Sequence, residues 1–214
     1  MARITVIGGT GYAGAAVVEE AVRRGHKVTA VSRSAPSAPL GGVKYVQGSI
    51  VDAEFVEKVV KRADAVVSSV AARGDMVDSF DVAVHNVVSA AVAAGARLVV
   101  VGGYSTLRRE AGGPRIIEGE VPAEYVIEAS AGYRLLQALE ASPASLDYVY
   151  LSPAAKFGAW VPGDATGNYK LGGDVALVGE DGSSFISAPD LALAVLDLVE
   201  SEEPVRDHFS VVSP

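Results

Sequence analysis

A short apolar run that ends in a cluster of glycines near the N-terminus constrains the fold of this chain most strongly. The run covers residues 4–7, and the glycines follow at intervals of three, at Gly8, Gly11 and Gly14. Apolar residues then recur at helical spacing, at Gly14, Val17, Val18, Ala21 and Val22. This order predicts a buried strand, a tight turn and an amphipathic helix that packs back on the strand.

A glycine corner of this kind is typical of sites that hold a phosphate. The first turn of the helix carries unpaired N–H groups and a partial positive charge, which favour an anion. A glycine in the corner also lets another group come close to the backbone. We therefore expect a pyrophosphate to be held by the residues of this corner, which are Gly8, Thr10, Gly11, Tyr12 and Ala13.

The composition excludes several other classes of site. The chain has 18 Lys and Arg against 26 Asp and Glu, a net charge of −8, which argues against a nucleic-acid groove. Cysteine is absent, so disulfides, thiolate metal ligands and a cysteine nucleophile are excluded. There is no run of about twenty apolar residues and no signal-peptide pattern, so we expect a cytoplasmic protein with no membrane span. No metal centre is expected.

Strand-like runs alternate with helical stripes along the rest of the chain. After the first strand, runs typical of strands cover residues 27–31, 43–46, 64–70, 97–102, 146–151 and 208–212. Helical patterns cover residues 53–62, 77–92 and 123–141, and another begins at Ser187. Such alternation predicts one α/β domain over residues 1–214, a doubly wound and mostly parallel sheet of the Rossmann type. The Gly-rich insertion at 158–188 predicts a small hairpin, with strands at 168–171 and 174–178, that caps the carboxyl edge of the sheet.

The end of the second strand indicates which dinucleotide the site takes. NAD-binding folds place an acid here for the ribose 2′-hydroxyl, whereas an Arg accommodates the 2′-phosphate of NADP. The chain has no acid between residues 28 and 42, and Arg33 occupies the strand end. The sequence therefore predicts NADP rather than NAD, with Arg33 on the 2′-phosphate.

Other strand ends supply further candidate contacts, because ligands of open α/β sheets collect at the carboxyl ends of the strands. Ser49 and Ile50 are predicted to flank the adenine. The fourth strand ends at Val70, and the small residues Ala71 and Ala72 then let the dinucleotide cross the sheet edge. After the fifth strand, Ser105 and Thr106 provide hydroxyl groups.

Several stretches of the chain resemble one group of known proteins. The stretches lie at residues 6–14, 122–125, 152–157, 166–174 and 186–192. They resemble the atypical short-chain dehydrogenase/reductase superfamily, and within it the NAD(P)H-binding group named NADH-flavin reductases, with biliverdin reductase B-like and NmrA-like relatives. The resemblance implies a nicotinamide near Ser105, Thr106, Lys156 and Phe157, which are the candidate catalytic residues.

The chain departs from the superfamily's pattern at two positions. The usual catalytic pair is a Tyr with a Lys four residues later, but here Tyr125 is followed at that offset by Ala129. Without the Lys, Tyr125 is expected to be a poor proton donor near neutral pH. The group also commonly has Asp where this chain has Ser49.

Three functions remain open at this stage. The first is an NAD(P)H-dependent reductase of a flavin-like or other conjugated small molecule, which accepts hydride without a strong protein acid. The second is an NADP(H)-binding redox sensor that acts through a protein partner. The third is a relative of the epimerases and dehydratases.

Overall fold

The computed structural model describes all residues from 1 to 214 and contains one eight-stranded sheet. The strands lie in the order β3-β2-β1-β4-β5-β6-β8-β7, and all are parallel except β7, which runs antiparallel to β8. Their bounds are β1 Arg3–Ile7, β2 Lys27–Ser32, β3 Val43–Gln47, β4 Ala65–Ser68, β5 Arg97–Val101, β6 Tyr148–Pro153, β7 Lys170–Gly172 and β8 Arg206–Val212. The doubly wound, mostly parallel sheet predicted from the sequence is confirmed.

Helices cover both faces of the sheet. They are α1 Tyr12–Arg23, α2 Ala53–Val60, α3 Phe80–Ala94, α4 Val126–Glu140 and α5 Ala188–Glu200. Helices α1 and α5 pack on one face with the side chains of one core cluster. Helices α2, α3 and α4 pack on the other face with a second cluster. The central strands are apolar on both sides because each face is covered by helices.

Local signals in the sequence account for several helix ends. Asp52 caps α2, since its carboxylate accepts from the Phe55 N–H at 3.1 Å. Ser187 caps α5 in the same way, with its hydroxyl accepting from the Asp190 N–H at 3.2 Å. Gly95 ends α3 in the left-handed conformation at φ 61°.

The predicted hairpin inside residues 158–188 is wrong in its pairing. The first predicted strand is present as β7, but residues 174–178 form no strand, and Val175 makes only an isolated bridge to Arg108. Strand β7 pairs with β8 instead, with Leu171 opposite Val211. The outer edge of β8 has backbone N–H and C=O groups that need hydrogen-bond partners, and the short strand β7 supplies them.

Two polar residues of α3 differ in their surroundings. His85 is exposed on the helix surface. Asn86 is half-buried, and its amide donates to the carbonyl oxygens of Ile50 and Val51, both at 3.0 Å. Asn86 therefore fixes the loop after β3 onto α3. No helix in the structure combines the length and the hydropathy needed to span a membrane.

Candidate functional site

The carboxyl ends of the parallel strands meet at one edge of the sheet, and the glycine corner lies at its centre. Gly8 takes a left-handed conformation with φ 81°, which favours glycine. The N–H groups of Gly8 and Gly9 donate to the Val31 carbonyl at 2.9 and 3.1 Å, and the Ser69 hydroxyl donates to the Ile7 carbonyl at 3.1 Å. Hydrogen bonds from both neighbouring strands thus hold the corner in place.

The other two glycines of the corner differ in what surrounds them. A Cβ at Gly14 would lie 2.1 Å from the Gly8 carbonyl oxygen, so only glycine lets α1 pack this closely on β1. A Cβ at Gly11 would meet nothing except that same oxygen, at 3.3 Å. The space beside Gly11 is therefore open, and another molecule can approach the backbone there.

The start of α1 presents free hydrogen-bond donors at this edge. The N–H groups of Tyr12, Ala13 and Gly14 donate to no acceptor in the chain, and the first turn holds no acidic residue. Thr10 is exposed beside them. Unpaired donors and the positive end of the helix dipole favour an anion at this point. The corner therefore fits the pyrophosphate of a dinucleotide.

Arg33 lies immediately after β2, on the neighbouring strand of the sheet. Its guanidinium is half-exposed and forms an ion pair with the carboxylate of Asp75. Asp75 belongs to a short 3₁₀ turn, Gly74–Met76, that follows β4. Arg33 is thus positioned at the sheet edge, where the sequence predicts it, with a partner that the sequence did not reveal.

The residues predicted to line the adenosine half occupy different depths. Ser49 is exposed, and its hydroxyl accepts from the Val51 N–H at 3.3 Å. Val70 and Ala71 are half-buried at the end of β4. The side chains of Ile50 and Ala72 are buried in the core, so these two residues can reach a ligand only through their backbone.

The two hydroxyl groups predicted to line the site after β5 have different surroundings. Ser105 is half-buried at the edge, and its hydroxyl makes no hydrogen bond within the chain. Thr106 is only 1 % exposed. Its hydroxyl donates to the Gly103 carbonyl at 2.7 Å and contacts the Ser152 hydroxyl at 2.9 Å. Thr106 therefore lies beneath the site and supports it, rather than facing a ligand.

A buried chain of hydrogen bonds connects Thr106 to β8. The Arg115 guanidinium has only donors, so it donates to Nδ1 of His208 at 3.2 Å. The neutral ring then donates from Nε2 to the Ser152 hydroxyl at 2.8 Å, and Ser152 donates onward to Thr106. Each hydrogen bond from Arg115 to Thr106 therefore has one defined donor and one defined acceptor.

The surroundings of His208 keep its imidazole neutral. Burial, together with the positive charge of Arg115, lowers the pKa of His208 to about 4, which outweighs the opposite influence of Asp174. The sequence did not reveal this network because Ser152 and His208 lie far along the chain from Thr106 and Arg115. The only local signal was a His in the last strand, directly before Phe209.

The segment after β6 carries the other two candidate catalytic residues. Lys156 is exposed and its ammonium group forms no ion pair. Phe157 is half-buried and packs against the Tyr12 ring, with the centroids 5.4 Å apart. The Tyr12 hydroxyl donates to the Pro162 carbonyl at 3.0 Å, and burial raises the pKa of this phenol. Residues 157–162 therefore lie against the start of α1.

The position of the superfamily's catalytic tyrosine is occupied by Tyr125. Tyr125 ends a 3₁₀ turn just before α4, and half of its surface is exposed. Its hydroxyl makes no hydrogen bond in the structure, and Ala129 occupies the position of the missing Lys. The guanidinium of Arg73, which is ion-paired with Glu128, is the cation whose charge interacts with Tyr125.

The fold and the glycine corner together define a dinucleotide-binding protein of the Rossmann class. The model of a family described as NAD(P)H-binding matches residues 8–202, and the chain belongs to this family of oxidoreductases. The resemblance to atypical short-chain dehydrogenases/reductases is confirmed, and a nicotinamide cofactor is supported.

Individual relatives agree with this assignment. The chain is 35% identical to the uncharacterized protein YwnB of Bacillus subtilis (strain 168), over 99% of this chain and 98% of YwnB. A crystal structure from Streptococcus pneumoniae TIGR4, provisionally named an NADH-flavin reductase, superposes with a TM-score of 0.89 at 28% identity, over the full length of both chains. A protein from Bacteroides thetaiotaomicron, provisionally named an epimerase, gives a TM-score of 0.86 at 30% identity over 99% and 97% of the two chains.

Proposed function

We propose that this protein is an NADPH-dependent reductase that transfers hydride to a flavin-like or other conjugated small molecule. One combination at the sheet edge carries the proposal. Free N–H donors and an unpaired lysine bind anions there, while the tyrosine that could donate a proton lacks its lysine. Such a site favours binding and orientation over acid catalysis.

The adenosine half of the cofactor is assigned to the edge between β2 and β4. The N–H groups of Tyr12, Ala13 and Gly14 take the pyrophosphate, with Gly11 leaving room for it. Arg33 takes the 2′-phosphate, for which a guanidinium offers paired donors. No acid stands nearby in β2 or its following loop to take a ribose 2′-hydroxyl instead. These contacts favour NADPH over NADH.

The nicotinamide half is assigned to the ends of β5 and β6. When bound, the cofactor would supply a hydride, which is the redox chemistry that the protein itself lacks. Ser105 offers a free hydroxyl to orient a polar group there, and Thr106 holds its segment from below. Lys156 supplies a positive charge that attracts an anionic acceptor and stabilises negative charge developing on it.

The lack of a Tyr-Lys pair limits which acceptors the protein can reduce. Reduction of a simple ketone needs a proton delivered to the developing alkoxide, and Tyr125 without a neighbouring lysine does this poorly. A flavin accepts hydride at a ring nitrogen, spreads the resulting charge over its ring system and takes its proton from water. The site therefore suits conjugated acceptors.

Exposed apolar side chains at the same edge support a flat acceptor. Tyr125, Ile127 at the start of α4 and Trp160 beyond β6 are 52 %, 59 % and 69 % exposed. Helix α4 connects β5 to the parallel strand β6, so its first residues lie toward the edge where the parallel strands end. Aromatic and aliphatic surfaces of this kind favour stacking of a planar ring.

Anaerobic stopped-flow measurements with NADPH and FMN test the proposal. We expect NADPH oxidation faster than in the free mixture, and we expect Gly11→Ala to abolish the acceleration by blocking the pyrophosphate. NADPH binding without acceleration by FMN, riboflavin or a quinone would overturn the reductase proposal. That outcome would favour a redox sensor, whose association state changes when NADPH binds.

A further inference from the structure

The ion pair between Arg33 and Asp75 has a specific place in the fold. Arg33 follows β2 and Asp75 follows β4, and both strands are hydrogen-bonded to β1. The pair therefore connects the two strand ends on either side of the glycine corner. Any dinucleotide that uses both the corner and Arg33 must occupy the region that this ion pair crosses.

Both ends of the ion pair are tied to the framework. Next to Arg33, the Ser32 carbonyl accepts from the Gly48 N–H at 3.1 Å, which holds the end of β2 against β3. Next to Asp75, the Met76 side chain is buried in the core, and its N–H donates to the Arg73 carbonyl at 3.1 Å. The 3₁₀ turn thus presents the Asp75 carboxylate outward at a defined position. The two charges meet because the fold places them together.

We infer that Asp75 competes with the cofactor's 2′-phosphate for Arg33 and so sets how strongly the protein prefers NADPH over NADH. This inference rests on the proposed contact between Arg33 and the 2′-phosphate. Without ligand, the carboxylate is the anion on the guanidinium. When the phosphate arrives, it must displace the carboxylate or share the guanidinium with it, and sharing brings two negative groups together. NADH carries no 2′-phosphate and does not meet this competition.

The structure indicates the size of the effect. Both side chains are largely exposed, with 54 % of Arg33 and 76 % of Asp75 accessible to solvent. The hydrogen bond from Arg33 lowers the pKa of Asp75, so the carboxylate is charged at neutral pH. Exposed ion pairs change an equilibrium by up to about fivefold. Removing the carboxylate should therefore tighten NADPH binding about two- to fivefold, with less effect at high salt.

Isothermal titration of the full chain with NADPH and with NADH tests the inference through the ratio of the two affinities. In Asp75→Asn we expect the ratio to shift two- to fivefold toward NADPH. The matched control is Asp78→Asn, because Asp78 is exposed in the same connection, three residues after Asp75, and forms no ion pair. Asp78→Asn removes the same negative charge, and its ratio of NADPH to NADH affinity should equal that of the wild type.

The Arg33→Ala variant separates the inference from the proposal beneath it. If Arg33 binds the 2′-phosphate, this variant loses the preference for NADPH, and adding Asp75→Asn to it changes nothing further. Suppose that Arg33→Ala loses the preference for NADPH while Asp75→Asn leaves the ratio of NADPH to NADH affinity unchanged or lowers it. The competition by Asp75 would then be refuted, and the contact between Arg33 and the 2′-phosphate would stand. An unchanged ratio in Arg33→Ala would overturn both the 2′-phosphate contact and the competition.

Discussion

The neutral state of the buried His208 gives a quantitative prediction about the stability of the fold. Its pKa falls from the model-peptide value of 6.5 to about 4 in the folded protein. Because the fold prefers the neutral ring, the unfolded chain takes up the proton first as the pH falls. Stability from this group is therefore complete above about pH 6.5 and is lost progressively between pH 6.5 and pH 4.

The size of the loss follows from the two pKa values. Each unit of difference corresponds to about 1.4 kcal/mol, so the full effect approaches about 3 kcal/mol. By pH 4.5 the folded protein should have lost about 2 to 3 kcal/mol of its stability at pH 7.5 through this residue alone. Other groups contribute to acid unfolding as well, so a variant without the imidazole is needed to isolate the effect.

The His208→Gln variant provides this comparison. A glutamine keeps a donor and an acceptor for Ser152 and Arg115 but cannot take up a proton. The free energy of unfolding should be measured by urea titration with far-UV circular dichroism between pH 7.5 and pH 4.5. We expect the variant to be less stable than the wild type at pH 7.5, and the difference to shrink by about 2 to 3 kcal/mol by pH 4.5.

The control is His85→Gln, because His85 is exposed on α3. Its stability should follow that of the wild type at every pH. Wild type and His208→Gln profiles that run parallel over the whole range would refute the reasoning. The imidazole of His208 would then titrate in the folded protein as it does in the unfolded chain.

Three further experiments test the framework of the fold and of the site. Gly14→Ala should destabilise the fold by about 2 kcal/mol in thermal or urea unfolding, since its Cβ would clash with a backbone oxygen. Gly11→Ala should instead keep the stability of the wild type and lose NADPH binding in calorimetry. Arg97→Met should lower the free energy of unfolding in urea by about 3 kcal/mol, because the buried guanidinium donates to one carboxylate and three carbonyl oxygens. Its control, Arg134→Met, removes an exposed ion pair and should lower that free energy by less than about 1 kcal/mol. Asp190→Ala should make residues 158–184 cleave faster in limited proteolysis, because its buried carboxylate accepts three N–H or O–H donors from this segment; unchanged cleavage would contradict that role.

The parts of the molecule that the sequence predicted well depend on neighbours along the chain. The corner at Gly8, Gly11 and Gly14 combines a strand, a turn and a helix within eleven residues, so its spacing alone indicates its geometry. The caps at Asp52 and Ser187 are equally local. Each of these features is stabilised by contacts within a few residues, and a sequence pattern can therefore reveal it.

The features that the sequence did not reveal depend on contacts between distant segments. His208 and Arg115 are 93 residues apart, and Arg33 and Asp75 are 42 residues apart. Strand β7 is paired with β8 because the sheet leaves an edge there, which no pattern inside residues 158–188 shows. The sequence predicted a site hydroxyl at Thr106, but this hydroxyl contacts Ser152 of β6 in the buried interior beneath the site.

Titration of the purified protein with NADPH and NADH in a calorimeter tests the central claim most directly. The free N–H groups of α1 should hold the pyrophosphate of either dinucleotide, and Arg33 should add affinity only for the phosphorylated one. We expect both to bind, with NADPH at least about tenfold tighter, as one charge-assisted contact provides. No heat from either titration, or tighter binding of NADH, would contradict the claim.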